Sequence, residues 1–194
     1  TVYAGSFFEV HRDAVRLPDG RQAVRAYIRH PGAVAIVALT DEGAVILEVR
    51  SVGYSYADTD AVRDVSFGVG GRQLVALTGP NGSGKSTLLK LIARVLEPRS
   101  GEVFYEGTPL RLWPAKEYAK RVGYLPGELA LYKDMKADQF FQMYEYLRGA
   151  NGSKGYWREL AKRLDLDVSR KIGKYSRGNK QKVGIVAAFM SRPD

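Results

Sequence analysis

The sequence predicts an α/β fold in which one strand–loop–helix unit forms the core, with antiparallel strands before it and helices after it. Three observations carry this. Gln73-Leu-Val-Ala-Leu-Thr78 is an apolar run long enough for a buried strand and too short for a helix. Leu88, Leu89, Leu91, Ile92, Val95 and Leu96 recur at helical spacing, and Pro98 stops that helix. Between the two lies the glycine-rich stretch Gly79-Pro-Asn-Gly-Ser-Gly-Lys-Ser-Thr87.

The elements follow in order. Residues 6–17 read as a strand and Pro18-Asp-Gly-Arg21 as a strong turn. Gln22 to His30 is the return strand, broken by Pro31-Gly32. Ala33 to Leu39 is an apolar strand, and Asp41-Glu-Gly43 turns the chain into another at Ala44–Val49. Together these form a small antiparallel β meander. Beyond the glycine loop and its helix, helical patterns occupy about 136–148 and 153–164, and a last helix starts near Asn179.

Residues 79–87 satisfy G-x-x-x-x-G-K-[ST], the phosphate-binding P-loop. Gly79, Gly82 and Gly84 allow backbone conformations that a Cβ forbids, so successive N–H groups of Pro80-flanking Asn81, Ser83 and their neighbours can face one concavity. The phosphates of a nucleotide sit there, at the positive end of the following helix. Lys85 brings a mobile charge to the terminal phosphates. The Ser86 hydroxyl is placed to hold Mg²⁺, with Thr87 beside it.

Composition sets bounds. Hydrophobic residues make up 45% and charged residues 26%, ordinary for a globular chain. No cysteine is present, which excludes disulfides and thiolate chemistry and fits a reducing compartment. No apolar run reaches the length of a membrane span; Val183 to Met190 is far too short. The net charge of +9 comes entirely from residues 51–194, with 24 basic against 15 acidic, and all twelve lysines lie at or after Lys85. These cations read as scattered over helices, without interleaved stacking aromatics, so no nucleic-acid partner is expected.

Pro80-Asn81-Gly82 inside the loop resembles the P-loop of ABC-type ATPases. Residues 47–56 (Leu47-Glu-Val-Arg-Ser-Val-Gly-Tyr-Ser-Tyr56) and 61–67 look like the opening antiparallel strands of that family. Lys174-Tyr-Ser-Arg-Gly-Asn-Lys-Gln-Lys182 resembles its signature segment, 91 residues after Lys85 with helices between. The resemblance covers about residues 46–194. It implies an incomplete P-loop NTPase core with an antiparallel β subdomain and a helical subdomain, and a domain running from 47 to 194. It places Tyr56 at the adenine-stacking position, with Tyr54 as the fallback. By itself, Tyr56 reads as a half-buried strand aromatic; the P-loop is what favours stacking. Ser176, Arg177, Gly178 and Asn179 then contact ATP bound by a partner subunit, a role that coexists with plain helix N-capping by Ser176. Tyr124-Leu-Pro-Gly-Glu128 and Ser176-Arg-Gly-Asn-Lys-Gln181 are similar to the ABC-2 or drug-exporter branch.

The chain departs from the family pattern at three places. Gly127 stands where glutamine is usual, and the following Glu128 is the candidate Mg²⁺ contact in its stead; as an alternative it is a solvated loop acid. Arg177 replaces a glycine and Asn179 a glutamine. The sequence also reads as truncated after the signature. The strand bearing the Mg²⁺-holding aspartate and the water-polarising glutamate, and a later histidine, do not follow. That expectation leaves the central sheet with an exposed edge and the last helix with a bare apolar face.

Residues 1–46 resemble something else. Val15-Arg-Leu-Pro-Asp-Gly20 and His30-Pro-Gly-Ala-Val-Ala-Ile36 are similar to the N-terminal part of Nudix hydrolases acting on ADP-ribose. The glutamate-rich helix that holds metal in that family is absent from the sequence, so the resemblance implies an incomplete, non-catalytic segment. Arg25 and Arg29 read as solvent-facing strand residues. The seam falls near Ala44–Leu47.

The resemblance therefore implies an ATP- and Mg²⁺-binding module of an ABC-type exporter. It acts as a homo- or heterodimer with a second ATP-binding module beneath a separate transmembrane permease, at the cytoplasmic face of the plasma membrane. Two other readings stay open: a non-catalytic nucleotide-binding fragment or chimera, and a P-loop kinase or Nudix hydrolase.

Overall fold

The computed structural model describes residues 3–4, 9–16, 22–29, 35–38, 45–71, 73–149 and 154–193, with side chains from Leu47 onward except Leu74. The turns expected at 18–21, 31–32 and 41–43 lie outside the described residues. The chain forms two compact units, residues 1–113 and 114–194.

The first unit holds two sheets. Strands β1 (Tyr3–Ala4), β2 (Glu9–Arg16), β3 (Gln22–Arg29), β4 (Ala35–Ala38) and β7 (Leu74–Leu77) form one, in the order β1-β2-β3-β7-β4. β2 and β3 pair antiparallel along their full length, from Glu9↔Arg29 to Arg16↔Gln22. β7 is the strand that leads into the glycine loop. It pairs parallel with β3 at Ala26↔Val75 and antiparallel with β4 from Ala35↔Leu77 to Ala38↔Leu74. The exposed edge expected beside this strand is therefore corrected: strands from the first 46 residues occupy both its sides.

The second sheet runs β6 (Thr59–Gly70), β5 (Val45–Tyr56), β8 (Ser100–Tyr105), β9 (Thr108–Pro109). β5 is continuous across the seam read near residues 44–47. Its inward side chains Leu47, Val49 and Val52 are buried, as is Val103 across the register at Val49↔Val103. Glu106 and Gly107 both take positive φ in the two-residue link from β8 to β9, the turn geometry whose twist matches paired strands. At the β5–β6 turn Ala57 sits at φ 49°, where an L-residue is strained. Ala57→Gly should raise stability by about 0.5–1 kcal/mol, read as a higher thermal midpoint.

Helix α1 (Lys85–Ile92) is shorter than expected. Arg94 adopts φ 55° and turns the chain, and the N–H groups of Val95 and Leu96 both return to the Lys90 carbonyl. The cap thus forms four residues before Pro98. Val95, read as a core position, is 56% exposed.

The second unit contains α2 (Ala115–Arg121), α3 (Ala137–Arg148), α4 (Tyr156–Arg163) and α5 (Arg177–Phe189). The expected helices at 136–148 and 153–164 correspond to α3 and α4. Phe140, Phe141, Trp157, Ala161, Ile172, Tyr175, Val183, Val186 and Met190 are buried together as its core. On α5 the apolar face is mostly covered, with Phe189 left half exposed.

Candidate functional site

In the first unit the loop 79–84 links β7 to α1. The Ser83 N–H bonds to the Pro80 carbonyl at 3.2 Å and the Leu88 N–H to that of Gly84 at 2.8 Å. Gly84 is the N-cap of α1 at φ 84°. A Cβ there would lie 2.0 Å from the Ala61 carbonyl oxygen and 3.4 Å from Val62 Cγ2 on β6. Glycine at this position thus lets the loop rest directly on the β5–β6 hairpin. Gly82 has the same φ, yet a Cβ there would meet nothing within 4 Å. At Gly79 a Cβ would meet the Ser83 hydroxyl at 2.6 Å.

Lys85 turns back into the loop. Its Nζ donates to the carbonyls of Gly79 at 2.7 Å and Pro80 at 2.6 Å, and to Ser83 Oγ at 3.2 Å. The N-terminus of α1 has no side-chain cap and no acid in its first turn. Uncapped amides at the positive end of a helix, with an ammonium beside them, favour an anion. The residues therefore fit a nucleotide phosphate. Ser86 is exposed, as a hydroxyl that meets Mg²⁺ must be, while Thr87 is buried beneath the loop. Asn81 is exposed on the rim.

Tyr56 ends β5 and is 46% exposed. Its ring meets Tyr54 edge to face, centroids 5.0 Å apart. Tyr54 is the more enclosed of the two, with the Arg99 guanidinium 5.9 Å from its centroid. Tyr54 also pairs with Val62, the residue under Gly84, so both tyrosines stand on the hairpin that supports the loop. Asp60 braces this hairpin tip. The Ser55 hydroxyl, then Arg63, holds its carboxyl below its ordinary value.

In the second unit Ser176 is the N-cap of α5. Its Oγ accepts from the Asn179 N–H at 3.3 Å, so the helix begins at Arg177, two residues before the expected start. Tyr175 is buried just before it, and its hydroxyl donates to the Asp167 carbonyl. Burial pushes that phenol's pKa up from its ordinary value. Ser176, Arg177 and Gly178 are exposed. At Gly178 a Cβ would meet only Ser176 Oγ, at 4.0 Å. Nothing in the described residues requires glycine there.

Two glycines absent from the sequence reading as site residues join the Tyr124–Glu128 loop to α5. A Cβ at Gly184 would strike Leu125 Cδ1 at 2.7 Å and Leu129 at 2.8 Å, and one at Gly123 would strike the Ala188 carbonyl at 2.5 Å. The loop thus lies flush on the same helix that Ser176 caps. A glycine within the apolar run Val183–Met190 was the available signal. Gly127 and Glu128 are both exposed, and a Cβ at Gly127 would have open space.

Comparison with known proteins adds the following. The profile of the ABC transporter family matches residues 62–194. ABC transporter ATP-binding protein NatA of Bacillus subtilis (strain 168) is 37% identical over 139 residues, covering 69% of this chain and 56% of the relative. The uncharacterized ABC transporter ATP-binding protein YxlF of the same organism is 35% identical over 153 residues, covering 76% and 50%. The chain thus spans about half the length of these curated relatives. A solved ATP binding subunit of an ABC transporter superposes with TM-score 0.62 at 29% identity, over 76% of this chain and 63% of that one. Among the described residues, no helix is long and apolar enough to cross a membrane.

Proposed function

This chain belongs to the ABC transporter family, and on that premise we propose that it is the ATP-binding module of an exporter of the ABC-2 or drug-export kind. The carrying observation is the loop 79–87: Gly84 laid against Ala61, Lys85 folded among the loop oxygens, and an uncapped helix start. The backbone of Gly79, Asn81, Gly82, Ser83 and Gly84 surrounds the phosphates of ATP, with Pro80 shaping the turn. Lys85 exchanges its carbonyl partners for phosphate oxygens. Ser86 holds Mg²⁺, which neutralises phosphate charge when bound. Tyr56 stacks on adenine, a contact of about 1–3 kcal/mol.

Ser176, Arg177, Gly178 and Asn179 meet the ATP held by a second module, so nucleotide joins two modules beneath a separate permease. The whole works at the cytoplasmic face of the plasma membrane. Closure on ATP and reopening after hydrolysis move the permease. Residues 1–46, with their Nudix-like wording, serve as a non-catalytic β segment.

Gly178 supplies the test, because among the described residues nothing gives its glycine a steric cause. Gly178→Ala should stabilise α5 by about 0.5–1 kcal/mol, since alanine is the better helix former. The same change should weaken ATP-driven dimerisation at least about tenfold, by placing a methyl where phosphate approaches. Sedimentation of the full chain with Mg-ATP reads the second effect and thermal unfolding the first. Dimerisation unchanged in the variant contradicts the proposed role of the segment.

A further inference from the structure

The second unit carries nearly all the excess charge, with 17 basic against nine acidic residues between 114 and 194. The fold concentrates it further. From Val168 to Lys182 there are six cations (Arg170, Lys171, Lys174, Arg177, Lys180 and Lys182) and no acid. Among the described residues none of the six forms an ion pair; Lys182 Nζ reaches only the Asp165 carbonyl, at 3.4 Å. The cations that the sequence suggests are scattered over helices are gathered by a second segment. Residues 133–138 run antiparallel beside 168–173, bonded through Gly173 N–H to Lys133 O at 2.7 Å, Ile172 N–H to Met135 O at 2.9 Å and a bridge between Lys136 and Lys171. Gly173 is required for this approach, because a Cβ there would lie 2.8 Å from the Lys133 carbonyl.

The ribbon so formed exposes Lys133, Lys136, Arg170, Lys171 and Lys174. Its acids are Asp134, Asp138 and Asp167. Asp138 accepts from the Gln139 N–H, and the Ser169 hydroxyl and N–H hold Asp167. Tyr132, 60% exposed, stands at one end of the ribbon next to Lys133. The five exposed cations outnumber the three acids, and Arg170 acts on the Asp167 carboxylate, so the ribbon keeps a net positive charge (five minus three) that an extended anionic surface complements. A phenol at its edge is amphipathic in the way membrane–water interfaces favour.

We infer that the ribbon 132–136 with 170–174 docks on anionic lipid headgroups. The partner is a bilayer surface bearing negative phosphates, where clustered Lys and Arg add attraction roughly charge by charge. This rests on the ATP-binding reading only for the presence of a membrane nearby, since the permease brings the module to one.

The test uses the full chain and co-sedimentation with two vesicles, phosphatidylcholine alone and the same lipid with about one third phosphatidylglycerol. Binding should be at least about tenfold tighter to the second and should weaken as salt rises. Reversal of three exposed charges, Lys133→Glu, Arg170→Glu and Lys171→Glu together, should remove that preference while Mg-ATP affinity stays as in the parent. Equal binding to both vesicles overturns the inference, as does a preference that survives the triple reversal. Tighter binding to a single-stranded oligonucleotide at the same salt also overturns it, assigning the ribbon to nucleic acid. A parent chain that binds the anionic vesicles but not Mg-ATP refutes the ATP-binding reading and leaves the ribbon's role standing.

Discussion

Gly84→Ala should weaken nucleotide binding severely. The residue holds φ 84°, and its Cβ position lies 2.0 Å from the Ala61 carbonyl oxygen, which is backbone of β6 and cannot swing aside. Left-handed backbone costs an L-residue about 1–2 kcal/mol, and forcing an atom into a packed contact adds about 1–3 kcal/mol. The loop must lift from the hairpin, and the N-terminus of α1 must turn with it. Nucleotide affinity should fall by about a hundredfold or more, with a lower thermal midpoint. Gly82→Ala is the matched control: the same φ, but nothing within 4 Å. It should cost only about 1–2 kcal/mol and leave weakened but measurable binding. Equal losses in the two variants would show that backbone freedom alone matters and that the seat on Ala61 does not.

Phe141→Ala should have the largest effect on the second unit. Its ring is fully buried, 5.4 Å from Trp157 and 5.7 Å from Phe140, within the core that also contains Tyr175, Val183 and Val186. Removing a buried phenyl costs about 3–5 kcal/mol, counting the cavity left behind. Tyr175 and α5 set the position of Ser176, so a loosened core displaces the capped helix start. ATP-driven dimerisation should be lost, while Mg-ATP binding at the loop 79–87 persists. Trp157 is buried in this core, and its fluorescence should shift to the red in the variant; Trp113→Phe in the background removes the other tryptophan. Loss of Mg-ATP binding together with dimerisation would show that the loop depends on the second unit's core.

What could be read in the sequence follows from how local each signal is. The loop 79–87 is contiguous, and its flanking strand and helix appear where the apolar pattern places them. Helices α3 and α4 obey a simple period. The end of α1 was not legible, because Arg94 in left-handed backbone closes it where the apolar spacing continues to Leu96. Strands β8 and β9 and helix α2 were also missed. β8 depends on Gly101, whose Cβ would lie 2.2 Å from the carbonyls of Arg50 and Ser51, a contact between residues 50 positions apart. The partners of β7 were hidden for the same reason. A strand's neighbours are chosen by the whole fold, and β3 and β4 come from a segment that reads as foreign to the loop. In the candidate site, Ser176 could be found by its capping chemistry. The roles of Gly123 and Gly184 could not, since they exist only against Ala188, Leu125 and Leu129.

Titration of the full chain with Mg-ATP, beside its Lys85→Ala variant, tests the central claim most directly. Lys85 Nζ already lies among the loop oxygens, and charge-assisted bonds from it to phosphate are worth about 1.5–3 kcal/mol. The account predicts saturable binding by the parent chain and a loss of at least about tenfold in the variant, with the fold intact by circular dichroism. A parent that does not bind Mg-ATP, or a variant that binds it as tightly as the parent, would contradict the assignment of this loop as the nucleotide site.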